Sequence, residues 1–298
     1  LTMKRISVII PFYGRPDQLH TCLVALEAQT IPRDDFEVIV VDNGSPHDLG
    51  ALRQRFPLVR WLREERPGSF AARNRGIEIA RGRILPFTDS DCVPTPAWLH
   101  EGATLLESGP ATVIGGRVAY LDNGSPELNT AERFEEEFFL LHKQKYLVEA
   151  LNVSATANLL ALKSAFDRVG PFDMTLLNFA DGDWTQRAVR AGETLSYSEH
   201  ALVHHPRRRT FREIQLKVKR TAGDRLGLLR KEGHGRARLV REIFRMSPFD
   251  PTAHWKFARI KHRTVAQRPR FVAFGECMSL AGFIEKLRVY LGGEGYRG

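Results

Sequence analysis

Two runs of β-branched, apolar residues, 6–11 (ISVIIP) and 36–42 (FEVIVVD), have the length and uniform hydrophobicity of strands buried on both faces of a parallel sheet. Between them, residues 17–29 set Leu19, Cys22, Leu23 and Leu26 at helical spacing, which predicts the crossover helix of a βαβ unit. The alternation continues with a helix over 48–56, a strand over 59–63, a helix over about 69–80 and a strand over 84–88. Such alternation predicts a doubly wound α/β sheet. Beyond Pro94 and Pro96 a helix is expected over 97–107 and a strand within 113–121. Residues 132–151 are charged and aromatic with helical periodicity, 153–161 are small and strand-like, 181–191 are helical with Gly192 just past the end, and 194–205 alternate again. From Phe211 onward the pattern is one of basic helices broken by Gly and Pro.

Three polar segments fall where strands end: PFYGRPD after the first, DNGSPHD after the second and TDSDC after the strand over 84–88. Loops at the carboxyl ends of neighbouring parallel strands converge on one crevice, where open α/β sheets bind ligands. Asp89 and Asp91, two residues apart in an extended segment, can face the same side. Hard carboxylate oxygens there suit Mg²⁺ or Mn²⁺, ions that usually share their shell with substrate phosphates. The same Asp-Ser-Asp is also ordinary turn chemistry. Asp42 closes an apolar strand and is suited either to a turn with Asn43 and Gly44 or to hydrogen bonding with a nucleobase. In RPGSFAARNRG, residues 66–76, Gly68 precedes a helix that carries Arg73, a combination suited to diphosphate.

The chain has 298 residues, of which 43% are hydrophobic and 27% charged, the balance of a soluble globular protein of one large or two modest domains. Three cysteines without C-x-x-C spacing argue against a disulfide framework or a zinc site and for a reducing compartment. No signal peptide or membrane span is expected, since the apolar runs at 6–12 and 271–283 are too short. The net charge of +9 hides an asymmetry: residues 206–270 hold 20 Lys/Arg against 5 Asp/Glu, whereas residues 1–205 hold 21 against 27. So basic a segment seeks a polyanion, and an anionic membrane surface or nucleic acid are the general candidates.

Taken in order, ISVIIPFYGRPDQLHTCLVALEAQT, VIVVDNGS, RPGSFAARNRGIEIARGRILPFTDSDCVPTPAWL, VGPFD and DGDWTQRAVRAG resemble the nucleotide-sugar-dependent glycosyltransferases of family 2, which have the GT-A fold. The resemblance covers roughly residues 5–210. It implies an α/β fold in which a GT-A (Rossmann-like), mostly parallel sheet is flanked by helices, with a catalytic domain over 1–209 and a basic helical C-terminal extension over 210–298. Within the catalytic domain, residues 1–92 form the nucleotide-binding half and 93–209 the acceptor half. Pro11, Asp42 and Arg73, with Asp89 beside them, match positions that contact base and ribose in this family. Tyr13, Arg15, Asn43, Gly68 and Ser90, on the same loops, complete the expected donor site. Asp91 matches the direct metal ligand of the D-x-D motif, and His205, favoured over His204 by strand phase, is expected to complete the shell of Mn²⁺ or Mg²⁺. Asp181 matches the general base of an inverting displacement, with Asp183 its rival. Ala180 stands where the family usually has Glu, a departure on the acceptor side.

The resemblance implies an inverting, metal-dependent glycosyltransferase of cell-envelope polysaccharide or glycoconjugate synthesis. Its expected partners are a UDP-sugar by default, or a GDP- or dTDP-sugar, and a glycan or lipid-linked acceptor. The basic C-terminal part is expected to meet an anionic membrane surface or to be a solvated face of packed helices. A cytoplasmic location, peripheral at the inner face of the plasma membrane, follows from those expectations. Nucleic acid is not expected, because no recognised binding module is present. A nucleotidyltransferase of similar fold and a non-catalytic membrane-associated binding protein are the competing classes. PFYGRPD replaces the Gly-rich, cationic loop expected of the former.

Overall fold

The computed structural model describes residues 5–122, 124–125, 127–176, 178–250, 252, 256–257 and 268–293. It resolves into two compact units, one formed by Leu1–Leu121, Leu140–Met174 and Ala180–Pro206 and the other by Asp122–Phe139, Thr175–Phe179 and Arg207–Gly298.

The first unit is built on one eight-stranded sheet. In chain order its elements are β1 (Ile6–Phe12), α1 (Pro16–Glu27), β2 (Phe36–Asp42), α2 (Gly50–Arg55), β3 (Val59–Arg63), α3 (Ser69–Ile79), β4 (Ile84–Phe87), β5 (Val93–Pro94), α4 (Trp98–Ser108) and β6 (Val113–Tyr120). After α5 (Thr130–Phe138) of the second unit come α6 (Gln144–Leu151), β7 (Leu159–Leu162), α7 (Lys163–Val169), α8 (Ala180–Arg190) and β8 (Leu195–His205). The strand order is β3-β2-β1-β4-β7-β6-β8-β5. Four neighbour pairs are parallel: β1 with β2 and β4, β2 with β3, and β6 with β8. The short β5 and the inserted β7 run antiparallel to their partners. Every residue of β1 and β2 is buried, as strands covered on both faces require. The α1 side chains Leu19, Cys22, Leu23 and Leu26 join Ile6, Val8 and Ile10 in the main core.

Because β2 lies on one side of β1 and β4 on the other, the order reverses at β1 and opens a crevice at the carboxyl ends of these strands. This switch point places the loops after β1, β2 and β4 together.

Two segments depart from their periodicity. The helical pattern over 132–151 divides into α5 and α6, with a turn at Leu141–Lys143 between them. Of residues 153–161 only the end is strand, since β7 is Leu159–Leu162. Ahead of it, Ser154 N and Thr156 N bond to the side chains of Thr185 and Asp181 in α8 instead of to a neighbouring strand.

A buried polar knot ties β1, β2 and β3. Burial opposes ionisation of Glu37, but bonds from Ser7 Oγ, Arg81 N and Arg60 outweigh it and hold this carboxyl below its ordinary value. A carboxylate whose pKa is lower folded than unfolded adds stability above its unfolded pKa, which is lost as pH falls through the folded value. The urea midpoint should therefore drop in that acid range, and Glu37→Gln should flatten this part of the profile while costing about 1–3 kcal/mol at neutral pH. An acid limb unchanged in the variant would show that other groups govern it.

The second unit gathers α5, α9 (Phe211–Lys231), α10 (Arg236–Phe244) and α11 (Arg268–Tyr290). Asn129 caps α5 and Thr210 caps α9, each in a reciprocal capping box with a glutamate three residues on. Phe134, Ile214, Phe257, Phe271 and Met278 form one apolar cluster, and Leu226, Leu229, Leu239, Ile243 and Val289 another.

Candidate functional site

The loops of the first unit are organised before any ligand arrives. Asn43 uses its whole amide on its neighbours: Nδ2 donates to the carbonyls of Glu64 and Arg66 at 3.0 and 2.7 Å, and Oδ1 accepts from Gly68 N at 2.7 Å. Gly68, at the N-cap of α3, has φ +122°, a conformation that L side chains rarely adopt. Asp42 is buried beneath this cluster, accepting from Ser45 N at 2.8 Å and lying 3.5 Å from Arg63. Glu64 joins them, its carboxyl held below the ordinary range by hydrogen bonds from Arg66 against the opposing effect of burial. The loop after β2 is thereby fastened to the segment that starts α3.

Arg73, on α3, is buried over the ring of Phe70 at 5.0 Å and forms an ion pair with Asp89. Its Nε is buried with no hydrogen-bond partner among the described residues. A buried donor left open is costly unless a ligand or water meets it, so this end of the crevice fits a polar ligand. Of the other residues expected at the donor side, Pro11 is buried within β1 opposite Val41, Tyr13 is 69% exposed, Arg15 is the N-cap of α1, and Ser90 is half-buried between the two aspartates.

Ligand atoms of Asp89, Asp91, Cys92 and His205 all lie within 4.8 Å of one another. Asp89 is already neutralised by Arg73, whereas Asp91 faces His205, with Nε2 at 4.0 Å from Oδ1. His205 Nδ1 lies 2.6 Å from the carbonyl of Pro206. A carbonyl only accepts, so Nδ1 carries a ring proton and Nε2 is the nitrogen that faces Asp91, the one a metal would use. His205 shares a buried strand face with Ala201 and Val203, while His204 faces the other way. Cys92 belongs to the apolar core, where burial first, then Asp91 and Asp89, push its thiol well above its ordinary value, and its soft sulfur does not suit a hard cation. Two carboxylates and an imidazole nitrogen remain, a donor set that fits Mn²⁺ or Mg²⁺.

Asp181, in the first turn of α8, accepts at Oδ2 from Thr156 N and Oγ1 at 3.0 and 3.3 Å and at Oδ1 from Gly182 N at 2.9 Å. Thr156 precedes β7, and its neighbour Ala157 accepts a bond from Thr88 Oγ1 at 3.0 Å just after β4. The antiparallel pairing of β4 with β7 therefore brings the Asp181 carboxylate to the same end of the sheet as Asp89 and Asp91. Asp183 is engaged elsewhere: Arg187 Nε donates to it at 2.8 Å while the same guanidinium binds the carbonyls of Val169 and Pro171. Ala180 is fully buried. The VGPFD segment serves packing, with Phe172 among Phe70, Phe87, Phe166 and Trp184 and bonded at both backbone groups to the Asn74 amide.

The family model for glycosyl transferase family 2 matches residues 7–170. Glycosyltransferase AglE of Haloferax volcanii is 35% identical over 213 residues, 70% of this chain and 68% of its own length. This chain belongs to glycosyltransferase family 2. Among solved structures, S. aureus TarS 1–349 in complex with UDP-GlcNAc superposes with a TM-score of 0.56 at 16% identity, over 97% of this chain and 92% of its own. The mannosyltransferase PcManGT from Pyrobaculum calidifontis, in complex with GDP-Man and Mn²⁺, gives 0.57 at 16% identity over 97% and 76%. At these identities the likeness establishes the GT-A type of fold. Family membership makes the chain a glycosyltransferase and sets aside the nucleotidyltransferase alternative.

Thr156, Asn158 and Glu64 were not singled out by the sequence. Asn158 bonds Trp98 Nε1 and the carbonyls of Arg117 and Ala201, holding three elements around the site. Thr156 and Asn158 were signalled only by alternating small polar residues, which a loop shows equally well, and Glu64 lies in an ordinary charged run.

Proposed function

We infer that this family 2 glycosyltransferase is metal-dependent and inverting, and moves a sugar from a nucleoside diphosphate donor to a hydroxyl of a glycan or lipid-linked acceptor in cell-envelope synthesis. The observation that carries this reading is the Asp91 and His205 pair, with imidazole Nδ1 held by the Pro206 carbonyl so that Nε2 faces Asp91. It stands at the end of the sheet where Arg73 and Asp89 line the expected nucleotide site. The complexes of TarS with UDP-GlcNAc and of PcManGT with GDP-Man and Mn²⁺ support a nucleotide-sugar donor and a divalent ion.

In this reading Pro11, Asp42 and the Arg73–Asp89 pair receive base and ribose, with Tyr13, Arg15, Gly68 and Ser90 around them and Asn43 holding the loops. A divalent cation held by Asp91 and His205 would neutralise charge on the departing diphosphate. Asp181, oriented by Thr156, takes the proton of the acceptor hydroxyl as its oxygen bonds to the anomeric carbon and the bond to the diphosphate oxygen breaks on the opposite face. Asp183 acts on loop geometry through Arg187.

No helix among the described residues is long and apolar enough to cross a membrane. In the same proposal the enzyme works in the cytoplasm, held peripherally at the anionic inner face of the plasma membrane, where a lipid-linked acceptor is reached. A thermal-shift series with UDP, GDP, dTDP and CMP, each with and without Mn²⁺, tests the donor site. One nucleoside diphosphate should raise Tm only with the metal, since a ligand of the native state stabilises by mass action. A shift with CMP alone, indifferent to Mn²⁺, would defeat the diphosphate-donor reading.

A further inference from the structure

In the second unit, α11 buries Phe271, Met278 and Val289 but also two charged residues, and leaves a second apolar stripe outside. Glu285 and Lys286 are buried, with Lys286 Nζ donating to the carbonyls of Glu242 and Arg245 at 2.8 Å each, whereas Leu280, Ile284, Leu287 and Leu291 are between 38% and 76% exposed. Together with the exposed Cys277, these positions recur at alternating intervals of three and four and form one stripe along the helix. Phe283 adjoins the stripe, three residues from Leu280 and four from Leu287. Its ring meets Phe244 and Phe249 at 5.7 and 5.4 Å, and both of these are exposed. An apolar patch thus runs from α11 to α10 and the turn beyond it. Patches of this kind mark interaction sites.

The charges at its border select the occupant. Arg225, Arg238, Arg241 and Arg245 line, with Phe244, Phe249 and the carboxylates of Glu242 and Asp250, a groove of about 930 Å³ in which cations outnumber anions. Glu242 is shared by Arg225, Arg245 and Lys286 at 3.9, 3.5 and 3.3 Å, but Arg238 and Arg241 pair with no carboxylate among the described residues. By contrast Arg207, Arg208 and Arg209 are matched by Glu136, Glu135 and Glu132 of α5, so the opening of the basic segment is neutralised internally. A second copy seated on this face about a two-fold axis would bring the same excess of arginines to the interface a second time, which is repulsive. A layer of lipid phosphates over an apolar interior complements both the arginines and the stripe.

We propose that the face of α10 and α11 bearing Phe244, Phe249, Leu280, Ile284 and Leu287, bordered by Arg238 and Arg241, seats on an anionic phospholipid surface. This rests on the membrane part of the reading above and names its surface. The test uses neither donor nor acceptor, so a failed transferase assay and a failed docking face stay separable.

Flotation of the full chain with vesicles of phosphatidylcholine, alone or mixed with phosphatidylglycerol, reads the binding. Wild type should float only with the anionic vesicles and lose binding as salt rises. Arg238→Ser with Arg241→Ser should weaken it about 25-fold, at about fivefold per arginine near the surface. Ile284→Ser with Leu287→Ser should abolish it, and both variants should keep the wild-type Tm because these side chains are exposed. Cys22 and Cys92 are buried, so an environment-sensitive fluorophore directed to Cys277 should shift to the blue only when anionic vesicles are added. Equal flotation with neutral vesicles, no flotation, or unaltered flotation of the Ile284/Leu287 variant overturns the proposal. A probe already blue without lipid, in an oligomer that the same variant dissociates, overturns it as well and assigns the face to a second copy.

Discussion

Asp181→Asn is expected to lower turnover by about two to four orders of magnitude, the usual contribution of a positioned general base. The donor should bind the variant as it binds wild type. Asparagine has the same shape and its oxygen can still accept from Thr156, so α8 and the segment before β7 stay joined. What is lost is an atom able to take the proton. The paired measurement is Asp183→Asn, whose carboxylate serves an i,i+4 pair with Arg187. Such pairs are worth about 0.3–0.5 kcal/mol, and Arg187 keeps its two carbonyl acceptors, so turnover should stay within a few-fold. Full activity of Asp181→Asn beside a dead Asp183→Asn would reverse the assignment of the base.

The second large effect is expected at Asp91. With Asn there, release of nucleoside diphosphate should fall by about two to three orders of magnitude, and donor binding should cease to respond to Mn²⁺. In the wild type, a chelator should remove turnover and added Mn²⁺ or Mg²⁺ restore it. His205→Gln should weaken the metal response less, because it removes one ligand and leaves the carboxylates. Asp89→Asn should instead reduce donor affinity, since its charge is matched by Arg73. If Asp91→Asn keeps the wild-type dependence on Mn²⁺, the ion is held elsewhere.

Much of the sheet could be read along the chain because β1 and β2 are buried on both faces and therefore rich in β-branched residues, while α1 shows a clean helical stripe. β5 and β7 were hidden for physical reasons. Two residues are too few to show a period, and β7 follows backbone that bonds to side chains of α8. Asp89 and Asp91 were legible as a pair because they end a strand. The phase of Ala201, Val203 and His205 was legible for the same reason, since alternation in a strand is local. Asn43, by contrast, looked like any residue of a turn. Only the folded loops show that its amide is consumed by Glu64, Arg66 and Gly68.

The C-terminal third shows the limit most clearly. Its charge is visible by counting, yet RRRTFREIQLKVKR looks as free as KEGHGRARLVREIFR until Glu132, Glu135 and Glu136 of α5 are found against the first. Likewise α11 contains both charged and apolar residues, and nothing in their order says that Glu285 and Lys286 turn inward.

The order of motifs by itself determined the family, the strand ends that bear Asp42, Asp89 and Asp91, and the candidate base in α8. Those features depend on residue type and on periods of two or about four positions, which are local. Tertiary structure alone decided that His205 turns Nε2 towards Asp91, that Thr156 aims Asp181, that Asp183 is held by Arg187, and which arginines stay unmatched among the described residues. Most of those depend on partners far apart in the chain, and even the i,i+4 pair of Asp183 with Arg187 is settled, like every hydrogen bond and ion pair, by distance and direction in space.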